Sequence, residues 1–209
     1  LTGKHRLPGF SGKWAIKKLG EIGSFSKGKG IRKDEVLTEG IPCVRYGEIY
    51  TVHNDYIREI RSFISPLVAA QSYKLKKGDL LFAGSGETSE EIGKCVAFLG
   101  DKPTYAGGDI VVLSPDNCDP VYLGYLMNHP MVVEQKSRLG QGDAVVHISA
   151  RNLASIKINL PSALEQTAIA SILTEIDLEL IKMEEMRDKI QSIKQGMMQE
   201  LLTGRIRLV

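Results

Sequence analysis

The feature that most constrains this chain is a stretch of about forty residues without a proline, from Ser162 to Gly204. Pro161 stands just before it, where it ends a strand without harming a helix. Ser162 and Glu165 have the S-x-x-E spacing of a capping box, in which the serine accepts from the Glu165 N–H and the glutamate reaches back to the Ser162 N–H. Gly204 falls where a left-handed helix cap is expected. Between these signals apolar residues recur at Ile169, Ile172, Ile176, Leu180, Met183, Met186, Ile190, Ile193, Met197 and Leu201. Steps of three and four residues place them on one helix face. At ~1.5 Å per residue the rod is roughly 60 Å long, beyond the ~8–20 residues of ordinary globular helices. It is expected to project beyond its own domain, and its seam needs a partner.

The remaining sequence predicts an α+β body over residues 14–160, after a lead-in over residues 1–13 and before the rod and its short basic tail, residues 161–209. Ile41–Ile49 reads as a strand with a proline at its start. Tyr73–Leu75 and Leu80–Ala83 read as strands on either side of a Lys77-Gly78-Asp79 turn. Gly93–Leu99, Ile110–Ser114, Ala144–Ile148 and Ile156–Leu160 add further strands, whereas Ser24–Gly30 breaks the pattern and Gly84–Thr88 is a loop. Asp119-Pro120 is an N-cap followed by proline at the first helical position, and predicts a helix to about Asn128. A second helix runs from Pro130 to Gly140. Strands and helices do not alternate regularly, which argues against a doubly wound sheet.

Charge is uneven although the net is only +2. Residues 1–46 carry ten Lys/Arg against four Asp/Glu, and residues 162–203 carry four against eight. A basic front suits phosphates; an acidic rod suits solvent or protein. Apolar runs fall far short of the ~18 residues of a membrane span, and no signal peptide is read at the start. Cys43, Cys95 and Cys118 are widely spaced, so free thiols in a reducing cytoplasm are expected rather than disulfides or zinc.

Catalytic signatures are not found. His5, His53, His129 and His147 lack metal-ligand spacing; Gly84-Ser85-Gly86 is not a G-x-S-x-G elbow; and Lys27-Gly28-Lys29-Gly30 lacks the phosphate-loop frame. The expectation is a chain without catalytic residues, cofactor or metal. Binding is better supported. Lys27, Lys29, Arg32 and Lys33 put four cations into a glycine-permitted loop that can approach a phosphate backbone. Arg45-Tyr46 lies beside Gly47, and arginine is the commonest reader of guanine edges. Ser85-Gly86-Glu87-Thr88, Tyr105-Ala106-Gly107-Gly108-Asp109 and Gly140-Gln141-Gly142-Asp143 are three polar glycine loops suited to base or phosphate contacts, or equally to tight turns; Ser85, Glu87, Thr88, Gln141 and the nearby His147 are the candidate contacts.

One internal echo remains. Leu1-Thr2-Gly3-Lys4-His5-Arg6-Leu7 matches Leu202-Thr203-Gly204-Arg205-Ile206-Arg207-Leu208 at five of seven positions.

Several blocks, in order, resemble one half of the specificity subunit of a type I restriction–modification system: Trp14–Ile22, Gly40–Ile49, Lys77–Thr88, Gly142–Ile148, Leu153 and Ile156–Pro161, then Leu160-Pro161, Glu165-Gln166, Ile169-Ala170, Ile172-Leu173 and Leu201–Gly204. The resemblance implies a target-recognition domain followed by a conserved spacer helix. A complete subunit has two of each. Its helices pair antiparallel, each domain reads one half of a split duplex-DNA target, and methyltransferase and restriction/translocase subunits dock on the scaffold. Residues 1–7 then look like the end of a preceding conserved helix. The seam residues become the pairing surface, with either an identical chain as a homodimer or a missing first half. The competing reading is a dimeric coiled-coil scaffold without direct DNA readout.

Overall fold

The structure, a computed structural model, describes residue 3 and residues 6–142 and 145–206. It divides into two compact units, Leu1–Ala168 and Ile169–Val209. The described residues form twelve strands and six α-helices, a mixed α+β architecture ending in a long helix.

The centre of the first unit is an antiparallel sheet of order β2-β10-β6-β8: β2 (Gly23–Lys27), β6 (Leu80–Ala83), β8 (Cys95–Ala97) and β10 (Ile110–Pro115). Every residue of Leu80-Leu81-Phe82-Ala83 is fully buried, as is most of β10. An unbroken apolar run makes a strand covered on both faces. A second sheet has the order β4-β3-β9-β5, with β3 (Ile41–Val44), β4 (Ser62–Ile64), β5 (Tyr73–Lys74) and β9 (Tyr105–Ala106). Its β3–β9 pair is parallel. Val44, Ile49, Leu81, Val96, Phe98 and Val112 join the two sheets in one core.

Sequence expectations fail where pairing or capping is decided at a distance. Ser24–Gly30 does not break the pattern: most of it is β2, whose backbone ladders with β10, and Gly23 is required because a Cβ there would lie 2.2 Å from the Ser114 carbonyl oxygen. The strand expected over Ile41–Ile49 stops at Val44. It gives way to α1 (Tyr46–Thr51), whose start is held by the Arg45 N–H donating to Glu48 Oε2 at 2.9 Å. This is the return half of a capping box without a capping hydroxyl. The supposed loop Gly84–Thr88 contains β7 (Ser85–Gly86), which pairs with β11 (Val146–His147). Between β4 and β5 stands α2 (Pro66–Ala69), started by Ser65.

Two helices follow their sequence signals. α3 (Pro120–Met127) starts on Asp119, whose carboxylate accepts from the Val121 and Tyr122 N–H groups. α4 (Pro130–Leu139) ends at Gly140. A short α5 (Ala150–Ala154), capped by Ser149, was not read from the sequence.

β1 (Ala15–Lys18) pairs antiparallel with β12 (Lys157–Leu160), so the start of the domain lies beside its end. The long helix α6 (Ala163–Leu202) begins there. Its first turn differs from the expected box in one respect. Ser162 Oγ does accept from the Glu165 N–H, at 3.4 Å, but the Glu165 carboxylate accepts from Arg6. Gln166 is buried beside it, accepting from the Asp119 N–H at 3.0 Å and donating to the Pro161 carbonyl at 2.9 Å. The Glu165-Gln166 pair therefore ties the helix base to two distant segments.

At the far end, Gly204 has φ +72°. Its N–H donates to Leu201 and that of Arg205 to Glu200, the two bonds of a Schellman cap. From Ile172 to Met197 the seam residues are exposed, from 41% at Ile172 to 63% at Met183. None of the helices among the described residues is long and apolar enough to cross a membrane.

Candidate nucleic-acid interface

The basic loop after β2 is pinned by backbone contacts rather than left free. Gly28 N–H donates to Ile110, Lys29 N–H to Ala106, and Gly108 N–H to Gly30. A Cβ on Gly28 would lie 1.9 Å from the Gly107 carbonyl oxygen, so only glycine allows this approach. Gly107 N–H in turn donates to Val44, next to Arg45. The Lys27–Lys33 loop, the start of α1 and the Gly107-Gly108-Asp109 turn thus form one layer.

Two clefts open along it. The first, of about 560 Å³, is lined by Lys27, Ser26, Asp109, His147 and Ser149 among others. Ser85 Oγ lies 3.0 Å from His147 Nδ1, which fixes the exposed imidazole at the rim. Ser85 is itself buried and its carbonyl accepts from the Tyr50 hydroxyl, so it acts from below the surface. Gln141 exchanges both backbone hydrogen bonds with His147. The second cleft, of about 310 Å³, is lined by Lys33, Arg45, Tyr46 and the Gly107-Gly108-Asp109 turn. Arg45 Nε is buried and has no partner among the described residues, a donor held ready for an outside acceptor. Asp109 lines both clefts, and its positive φ of 58° turns the chain between them.

Of the residues singled out from sequence, Lys27 and His147 line one cleft, with Ser85 and Gln141 bonded to His147, and Lys33, Arg45 and Tyr46 line the next. Lys29 is exposed on the loop between. Arg32 faces elsewhere, into a small cleft with Leu67 and Gln71. Glu87 and Thr88 are exposed beyond β7 and line neither cleft. Asp109 stands at the polar end of the Tyr105–Asp109 glycine loop that the sequence offers, though the sequence does not single it out as a contact; Ser26 and Ser149 carry no local signal.

A serine–histidine pair becomes a nucleophile only when a third group orients the imidazole, and the described side-chain bonds give His147 only Ser85. Burial pushes the Cys43 thiol up to about 12, aided by the Glu48 carboxylate, and raises Cys95 and Cys118 as well. Such thiols stay protonated and unreactive. No group of three or more His, Cys, Asp or Glu among the described residues could hold a metal ion.

Residues 11–195 match the family described as the type I restriction modification DNA specificity domain. The chain belongs to that family. The MjaVIII specificity subunit of a type I restriction enzyme from Methanocaldococcus jannaschii is 28% identical over 93% of this chain and 47% of its own length. A putative MjaX specificity subunit from the same organism is 32% identical over 91% of this chain and 45% of its own. Among solved structures, the type I restriction–modification S subunit from M. genitalium superposes with a TM-score of 0.63 at 16% identity, covering 96% of this chain and 48% of that one. This specificity domain thus spans about half the length of the curated relatives it matches.

Proposed function

We propose that this specificity domain binds duplex DNA across its two clefts and reads one half of a bipartite target, with no catalytic step of its own. The observation that carries the reading is the convergence of Lys27, Lys33, Arg45, Tyr46 and His147 around the Asp109 turn from three separate segments. In this reading Lys27, Lys29 and Lys33 neutralise phosphates, while Arg45, Tyr46, Gln141 and His147 reach base edges. Arg32, Ser85, Glu87 and Thr88 flank or support that surface. The seam from Ile169 to Leu201, exposed between Ile172 and Met197, pairs antiparallel with the same helix of a second copy. Burying apolar surface is worth ~25 cal/mol per Å², and a two-fold pair is the commonest arrangement. The helices then hold two reading heads apart and present a scaffold to methyltransferase and restriction subunits.

The test is DNA association as a function of salt. Steep loss of affinity with rising salt is expected, because each neutralised phosphate releases counterions at a slope of about −0.9. Replacing Lys27 and Lys33 by alanine should flatten that slope by about 2. Salt-insensitive or absent binding, even with a methyltransferase subunit added, would favour the coiled-coil scaffold without DNA readout.

A further inference from the structure

Arg6 and Glu165 make a contact that neither the core nor the clefts require. Glu165 is 1% exposed, and both of its carboxylate oxygens accept from Arg6, from Nε and Nη2 at 2.6 Å. The Arg6 guanidinium also lies 5.7 Å from the centre of the Trp14 ring. The third arginine nitrogen, Nη1, donates to the Gly12 carbonyl. Gly3 rests on the same ring: a Cβ there would be 3.3 Å from the indole. A buried carboxylate, an aromatic face and a glycine-sized gap form a shaped receptor for one arginine.

The segment filling that receptor has a second copy in the chain. Leu1–Leu7 and Leu202–Leu208 share the pattern Leu-Thr-Gly-x-x-Arg-Leu, which puts Arg207 in register with Arg6. The likeness extends to conformation, for Gly3 and Gly204 both have φ +72°. At Leu202-Thr203-Gly204 the motif ends a helix, and in both copies of the sequence an arginine follows three residues after the left-handed glycine. In an antiparallel pair of equal helices, the end of one lies at the base of the other, where Glu165 stands.

We propose that Trp14 and Glu165 form a socket for the arginine of a Leu-Thr-Gly-x-x-Arg helix end, and that its second occupant is Arg207 of another copy of this chain. Arg6 holds the socket in cis, and the two arginines compete for it. The socket rests on the antiparallel pairing proposed above and adds a residue-level register mark to it. An apolar seam with steps of three and four tolerates sliding by a turn; a buried bidentate ion pair does not.

The test uses the full chain with Arg6→Ala and Arg207→Gln, which leaves the socket empty, and a peptide of residues 199–209. Trp14 is the only tryptophan, so its emission reports the socket. The peptide should shift that emission saturably and bind the wild-type chain about 10-fold or more weakly, since charged hydrogen bonds of this kind are worth that much. A peptide carrying Arg207→Gln should not bind, nor should the wild-type peptide bind when Glu165→Gln is added to the chain. Glu165→Arg in the chain with Arg207→Glu in the peptide should restore binding, which separates recognition from misfolding. Equal binding of both peptides, or no binding to a chain that melts cooperatively, would overturn the socket. Sedimentation and DNA binding of the wild-type chain are measured alongside. A dimeric, DNA-binding chain that ignores the peptide sinks the socket alone. A monomer that binds no DNA but still takes the peptide sinks the pairing and reading roles and keeps the socket.

Discussion

The two units solve opposite problems with their apolar residues. In the first, β6 and β10 are buried almost completely, and the polar loops above them are tied to one another by backbone hydrogen bonds. Its clefts present polar groups: Arg45 Nε without a partner among the described residues, His147 at a rim, lysines on a pinned loop. In the second, the seam side chains from Ile172 to Met197 stand 41% to 63% exposed on a continuous helix. A closed core with unspent donors suits a polar ligand. An open apolar seam suits another helix.

Breaking the seam should give the largest effect. Replacing Met186 and Ile190 by glutamate removes two apolar contacts per helix and buries charge in their place. Self-association measured by sedimentation should weaken by more than about 1,000-fold, while the melting of the first unit stays where it was. Loss of that melting transition instead would mean that the two units are not separate in their stability.

Lys136 comes next. It is 1% exposed, donates to the Gly93 carbonyl at 2.6 Å, and burial pushes its pKa down to about 8. The unfolded chain takes up this proton as pH falls from about 10.5, the folded chain only near 8. Stability held above pH 10.5 is therefore lost between those values, roughly 3 kcal/mol in all, and is constant below. Lys136→Met should flatten that part of a denaturation-versus-pH curve; an unchanged curve would show that the amine is not buried in solution.

Gly28→Ala sharpens the other half of the contrast. A Cβ 1.9 Å from a carbonyl oxygen must displace the pinned loop. The expected stability loss is about 1–3 kcal/mol, with DNA affinity falling further than stability accounts for. The smallest effect belongs to Gly196, where a Cβ meets nothing. Gly196→Ala should stabilise the helix by about 1 kcal/mol. If pairing weakens at the same time, the helices approach closely at that point.

Much of the fold was legible wherever a local signal acts alone. Asp119-Pro120, Pro130 with Gly140, and the buried runs at Leu80 and Ile110 did what their residue types dictate. The illegible parts depend on partners far along the chain. β7 is two residues long and exists only because Val146-His147 lies beside it. α1 begins on an arginine, which gives no capping cue. Glu165 was read as half of a capping box, yet Arg6, 159 residues away, claims its carboxylate. The site followed the same rule. Its cations were visible as a loop composition, but no spacing announced that Lys33, Arg45 and Asp109 would share a cleft.

The central claim is that the helix sets the distance between two reading heads. Four residues inserted after Glu184 lengthen each helix by ~6 Å at ~1.5 Å per residue and keep the seam close to its original face. In a restriction–modification complex assembled on this chain, mapping the modified sites should show the same two half-targets separated by about two additional base pairs, at ~3.4 Å each. An unchanged gap would contradict the account.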